Sequence, residues 1–212
     1  MKPCHCLLVD DHPLVRRGVR DLLIHEQLCS VIEEASSGEE AVQAVRRQPW
    51  DLMLLDVALP DKHGLEVLKE TKQLQPHLPV LMLSLYPEKE FALRALRAGA
   101  AGYLTKQSAP AELLTAVTRV LQGGRYITEA LADQMAEALG TGAAGPLHTR
   151  LSDRELQVLR LLGQGKAVSA IAEELALSVK TISTYRARIL DKLSCQTTGE
   201  LIRYAIEARL ID

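Results

Sequence analysis

The chain has 212 residues, 47% of them hydrophobic, a formal net charge of −2 and only 3% aromatic side chains. That length accommodates one large domain or two small ones, and the modest glycine and proline content excludes global disorder. No run reaches the ~18 apolar residues of a membrane span, and Asp10 and Asp11 interrupt the first apolar run too early for a secretory signal; no membrane association and a reducing, cytoplasmic location are expected. Residues 1–148 carry four more acidic than basic side chains, whereas residues 149–212 carry two more basic than acidic ones, a first hint of different partners.

Five short apolar runs, residues 4–9, 31–35, 52–55, 80–84 and 101–104, read as strands covered on both faces. Amphipathic segments alternate with them, at 13–27, 38–48, 65–74, 88–98 and 110–122. Pro13 suits a first helical turn, Ser37 and Glu40 have capping-box spacing, and Gly99 is placed to end a helix. Such βα alternation predicts an open parallel sheet with helices on both sides. Cys4-His5-Cys6 suggests a metal site at first sight. Its residues alternate across a strand and no second cluster completes four ligands, so a plain strand is the reading kept.

Residues 123–148 change character. A helix is predicted at 128–139, and Gly140 to Pro146 reads as flexible linker. The remainder is helical. Ser152-Asp153-Arg154-Glu155 is a capping box before one helix, residues 168–175 form a second, Ser178 caps a third that runs to about Leu193, and Thr197 with Glu200 caps a fourth.

Asp10 and Asp11 follow the first strand and Asp56 the third, so a parallel sheet brings all three carboxylates to one edge. Clustered carboxylates repel one another and attract a hard divalent cation, and Mg²⁺ needs few protein ligands. Beside a bound cation a carboxylate oxygen can attack phosphorus, as in aspartyl-phosphate chemistry. Ser84 and Lys106 follow the fourth and fifth strands, where a hydroxyl and an ammonium would hold phosphoryl oxygens. Singly, each has a plainer reading as a turn residue or a solvated lysine. Their joint placement, each at its own strand end, carries the argument.

Val9-Asp10-Asp11-His12-Pro13, Leu55-Asp56 with Pro60 and Gly64, and Gly99-Ala100-Ala101-Gly102-Tyr103-Leu104-Thr105-Lys106 resemble the receiver domains of bacterial response regulators. The resemblance covers residues 4–122. It implies a (βα)5 flavodoxin-like doubly wound sheet, phosphate accepted on Asp56 from a sensor histidine kinase, and Mg²⁺ held by Asp10, Asp11, Asp56 and the carbonyl of Ala58. Ser84 and Tyr103 would be the switch hydroxyl and aromatic, with Lys106 on the phosphate; the plainer reading of Tyr103 is a partly buried strand residue. Two departures stand out: Gln107 replaces the proline common after the lysine, and Leu85-Tyr86 is bulkier than usual.

On the third C-terminal helix, Lys180, Thr181, Thr184, Ala187 and Arg188 share one face, and Val179, Ile182, Ile189 and Leu193 the other. The first face is basic and narrow, which suits a major groove; a solvated basic face is the alternative. Arg186 projects near the apolar side, where its stem can pack while its head reaches a phosphate. The pattern from Leu151-Ser152-Asp153-Arg154-Glu155 through Ser178-Val179-Lys180-Thr181-Ile182 to Lys192-Leu193 resembles the LuxR-type helix-turn-helix over residues 149–210. The combination is that of NarL/FixJ-type response regulators, nearest their GacA/UvrY-like branch at residues 184–189.

The expected organisation is therefore a receiver at 1–122, a linker with a helix at 123–148, and a smaller all-α four-helix helix-turn-helix domain at 149–212. The expected DNA contacts are Lys180, Thr181, Ser183, Thr184, Tyr185, Arg186, Arg188 and Lys192. The expected partners are a kinase, double-stranded DNA and, after phosphorylation, a second copy of the chain. A DNA-free phosphorelay protein would need no recognition helix. A phosphorylation-independent regulator would not need the full set of Asp10, Asp11, Asp56, Ser84 and Lys106. An enzyme on a diffusible substrate would need a nucleophile array or nucleotide loop that the sequence lacks.

Overall fold

The computed structural model describes residues 4–85, 88–140, 147–208 and 210–211. The chain divides into two compact units, Met1–Gly140 and Thr141–Asp212.

In the first unit, strands β1 (His5–Val9), β2 (Val31–Ala35), β3 (Leu52–Asp56), β4 (Val80–Ser84) and β5 (Gly102–Thr105) alternate with helices α1 (Pro13–His25), α2 (Gly38–Arg47), α3 (Gly64–Leu74), α4 (Glu88–Arg97) and α5 (Pro110–Leu121). All strand pairs are parallel, in the order β2-β1-β3-β4-β5. β1, β3 and β4 lie inside the sheet, and their Leu, Val and Met runs are buried on both faces, as continuous apolar strands require. β2 corrects the expectation that all five are doubly covered. It is an edge strand, and Glu33 and Glu34 leave it half exposed.

The segment expected as linker begins with a bridge from Tyr126 to Gly102 and continues as α6 (Glu129–Gly140), which packs on α4. The flexible stretch expected at Gly140 to Pro146 lies, beyond Gly140, outside the described residues, as does Tyr86.

In the second unit a 3-10 turn (Leu147–Arg150) leads into α7 (Asp153–Gly163), α8 (Val168–Glu174), α9 (Val179–Leu193) and α10 (Thr198–Glu207). The capping box forms as expected: Ser152 accepts the Glu155 amide and Glu155 accepts the Ser152 amide. Leu159 and Leu162 of α7, Ile171 of α8, Ile182, Ile189 and Leu193 of α9, and Leu201 and Ala205 of α10 supply its core. The Tyr204 hydroxyl accepts the His148 amide at 3.0 Å and lies 3.1 Å from His148 Nδ1, which ties the entry of this unit to its last helix.

Candidate functional site

The strand register assembles the acidic pocket. Val9 pairs with Leu55, so the next residues, Asp10 and Asp56, emerge side by side at the carboxyl edge. Asp56 pairs with Leu83 and Ser84 with Thr105, which brings Ser84 and then Lys106 to the same edge. This is where the strand order reverses direction, between β1 and β3, the usual binding crevice of an open α/β sheet. Local backbone locks the arrangement. The Asp10 amide donates to Ala35 O, the Ala58 amide to Asp56 Oδ1 at 3.1 Å, and the Lys106 amide to Ser84 O at 2.6 Å. The Lys106–Gln107 peptide is trans without the proline. Gly64 is required by close approach: a β-carbon there would fall on the Asp56 carbonyl oxygen.

Asp10, Asp56 and Ser84 are at most 1% exposed, and Asp11 stands at the rim. The buried Lys106 ammonium bridges Asp10 Oδ2 at 2.7 Å and Asp56 Oδ2 at 2.6 Å. Burial pushes the Asp56 carboxyl up to about 6, against the opposing pull of Lys106. Burial also works against the Lys106 charge, but Asp56 and Asp10 outweigh it and the ammonium is held above its usual range. The ligand atoms of Asp10, Asp11, His12 and Asp56 lie within 4.8 Å of one another, an arrangement compatible with a divalent cation.

Two neighbours escaped the sequence reading. His12 Nδ1 is 2.5 Å from Asp11 Oδ1, and Arg16 Nη1 donates to Asp10 O at 2.5 Å while its Nε pairs with Glu34. Both were findable, since His12 adjoins the paired aspartates and Arg16 sits one helical turn further on. Tyr103 is wholly buried rather than partly so, and Leu85 is 57% exposed beside the edge.

On α9, Ser178 accepts the Thr181 amide at 3.0 Å and fixes the start of the helix. Lys180, Thr184, Ala187 and Arg188 are exposed, and Thr181, Ser183, Tyr185 and Arg186 are half-buried. The Thr184 hydroxyl donates back to Lys180 O at 3.0 Å, leaving its lone pairs outward. One expectation needs revision, and two further features of the helix come from the structure. Val179 is 53% exposed, because the apolar stripe begins only at Ile182. Lys192 bonds Glu155 Oε2 at 2.6 Å, so its charge serves the contact between α9 and α7. Asp191 shares the exposed face and confines the basic strip to the first turns of the helix.

Residues 6–118 match the response regulator receiver domain family, and residues 149–205 match the bacterial regulatory proteins of the luxR family. The chain is 38% identical over 201 residues to the response regulator UvrY of Escherichia coli strain K12, covering 94% of this chain and 92% of that one. It is 40% identical to the transcriptional activator protein ExaE of Pseudomonas putida over 97% of both chains. Among solved structures, a LuxR-family two-component response regulator from Aurantimonas sp. SI85-9A1 is 34% identical with a TM-score of 0.60, over 66% of this chain and 99% of that one. RcsB from Salmonella enterica serovar Typhimurium, bound to a promoter in the presence of the phosphomimetic BeF3⁻, is 25% identical with a TM-score of 0.60, over 96% of this chain and 98% of that one. With receiver and LuxR-type helix-turn-helix matched in order and relatives aligned over most of their length, the chain belongs to the two-component response regulators and is a transcription factor rather than an enzyme.

Proposed function

We propose that a sensor histidine kinase phosphorylates Asp56 in residues 1–122, and that residues 149–212 convert this into promoter binding, with 123–148 joining the two. The observation that carries the reading is the buried Lys106 ammonium shared by Asp10 and Asp56. An Asp56 oxygen attacks the phosphorus of a phosphohistidine while the phosphorus–nitrogen bond breaks and the imidazole leaves. Its raised pKa still leaves Asp56 largely ionised at neutral pH. Asp10, Asp11, Asp56 and the Ala58 carbonyl would hold Mg²⁺, which supplies charge neutralisation on the transferring phosphoryl group. Lys106 and the Ser84 hydroxyl then bind its oxygens.

Phosphate acts by favouring one of two existing arrangements. Tyr103 is wholly buried behind this edge, and phosphorylation favours the arrangement in which it packs inward. The phosphorylated chains pair as a symmetric dimer, which matches paired half-sites in double-stranded DNA. On each α9, Lys180 and Arg188 meet phosphate or guanine, and Thr181, Ser183, Thr184 and Tyr185 line the groove. Arg186 reaches the backbone from its half-buried stem, and Lys192 is set aside for Glu155. The bound state of the RcsB relative supports this reading. The test is phosphorylation by acetyl phosphate and by a kinase domain, with and without Mg²⁺. Wild type should be labelled only with the metal, and unchanged labelling of Asp56→Asn overturns the assignment.

A further inference from the structure

The end of the sheet opposite the acidic pocket holds three of the four cysteines. Cys4 lies just before β1 and Cys29 in the turn before β2, and their sulfurs are 3.4 Å apart. Cys29 is 3% exposed, Cys6 is fully buried beneath it, and Cys4 is partly exposed at the rim. The backbone fixes the pair. The Ser30 and Val31 amides both donate to Cys4 O, which holds the backbone of Cys4 against the turn that carries Cys29.

The thiols are also unequal. Hydrogen bonds from Cys6 and then Cys4 lower the pKa of Cys29 against its burial. Burial, followed by the bond to Cys29, pushes Cys4 up to about 12. Among the described residues the three thiols form no metal-ligating group; the group close enough to share an ion is the acidic pocket. That leaves redox chemistry, in which thiolate character, exposure and a nearby resolving sulfur decide reactivity.

We propose that Cys4 and Cys29 form an oxidant-responsive dithiol, which a hydroperoxide converts into a disulfide joining the start of β1 to the turn before β2. The Cys29 thiolate takes the terminal oxygen of the hydroperoxide. The oxygen–oxygen bond breaks, the alkoxide leaves and is protonated, and Cys29 becomes a sulfenic acid. The Cys4 sulfur attacks the Cys29 sulfur, the sulfur–oxygen bond breaks, and hydroxide leaves with the Cys4 proton as water. The two thiols together lose two protons and two electrons, and the peroxide becomes an alcohol and water. A dithiol reductant reverses the step by exchange through Cys4, the accessible sulfur. The cross-link closes a loop containing all of α1 and ties β1 to the edge strand β2, so the oxidised receiver unit unfolds at a higher temperature.

The experiment treats the full chain with hydrogen peroxide, alkylates the remaining thiols, and maps peptides by mass spectrometry. Cys4 and Cys29 should become unavailable together, in one cross-linked peptide lighter by two hydrogens. Fragmentation at His5 should place the bond on Cys4 rather than Cys6. The lone Cys195 should remain alkylatable when half the chains are cross-linked, and Cys29→Ser should leave Cys4 alkylatable. A bond from Cys29 to Cys6 overturns the proposal. So does over-oxidised Cys4 beside a Cys29 that is still a thiol, or loss of Cys195 while both partners stay reduced. The wild-type map decides the matter even if Cys29→Ser folds poorly.

Discussion

One carboxylate oxygen, Glu155 Oε2, accepts both the Ser152 amide that starts α7, at 2.7 Å, and the Lys192 ammonium near the end of α9, at 2.6 Å. A helix cap and an interhelical ion pair thus meet in a single atom. Burial opposes the Glu155 charge, but the bonds from Lys192 and Ser152 outweigh it and hold its carboxyl below the usual range. The folded state therefore binds its proton less readily than the unfolded chain. The stability gained is present above the ordinary carboxyl range, about pH 4.3, and is lost as pH falls through the lower folded value. Glu155→Gln should lower C-terminal stability at pH 7 by about 1–2 kcal/mol. It should also flatten the acid limb of the stability curve, measured by urea unfolding of the C-terminal unit. An acid limb identical to wild type would separate Glu155 from this role.

Lys192 and Arg188 should part company experimentally. Arg188→Ala and Lys180→Ala should each weaken DNA binding and remove about one unit from the logarithmic salt slope. Thr184→Ala should change base preference more than affinity. Lys192→Ala should instead lower the melting temperature and leave the salt slope alone, because its charge faces Glu155. Footprinting across a salt series separates these outcomes, and an unchanged slope for both Arg188→Ala and Lys180→Ala would make the basic strip a solvated surface.

Lys106→Ala leaves two buried carboxylates without their shared cation. Breaking a buried ion pair from one side costs about 3–5 kcal/mol, so the metal-free receiver unit should lose that much. A divalent cation answers the same carboxylates, and millimolar Mg²⁺ should restore most of the loss. Equal losses with EDTA and with Mg²⁺ would mean that Lys106 and the metal do not share ligands.

Gly64→Ala places a methyl group against the Asp56 carbonyl oxygen, which is backbone and cannot swing aside. The change should cost about 3 kcal/mol. It should also impair labelling of Asp56 even where the chain still folds, while the melting of the C-terminal unit is unaffected. Full labelling at the wild-type rate would show that the loop after β3 yields without disturbing the pocket.

Sedimentation with beryllofluoride and Mg²⁺ tests the dimer. The wild-type chain should shift from monomer to dimer, and Asp56→Asn should not. A chain that stays monomeric on and off DNA while its affinity still rises would favour release of the C-terminal unit from an inhibitory contact.

Strands and helices were legible because their signals are local. Pro13, Ser37, Gly99, Ser152, Ser178 and Thr197 mark boundaries by backbone chemistry that needs no partner. The pocket was legible because parallel register carries strand-end residues to one edge, so positions 10, 56, 84 and 106 converge once the strands are recognised. Pairings between distant elements were not. Nothing in the α9 sequence says that Lys192 answers Glu155 across 37 positions, or that Val179 lies ahead of the buried stripe. Those facts depend on where α7 and α8 lie against α9, which sequence periodicity alone does not specify.

The Lys106 bridge has a consequence for which ions the receiver can admit. Three carboxylates face one ammonium in the pocket, an imbalance of two negative charges that a doubly charged ion cancels. A singly charged ion leaves the cluster self-repelling, and a triply charged one overshoots. A doubly charged ion held by these carboxylates would therefore be favoured on charge balance before any coordination geometry applies. Neutralising Lys106 should shift the preference toward higher charge, so that a lanthanide gains on Mg²⁺ in direct competition.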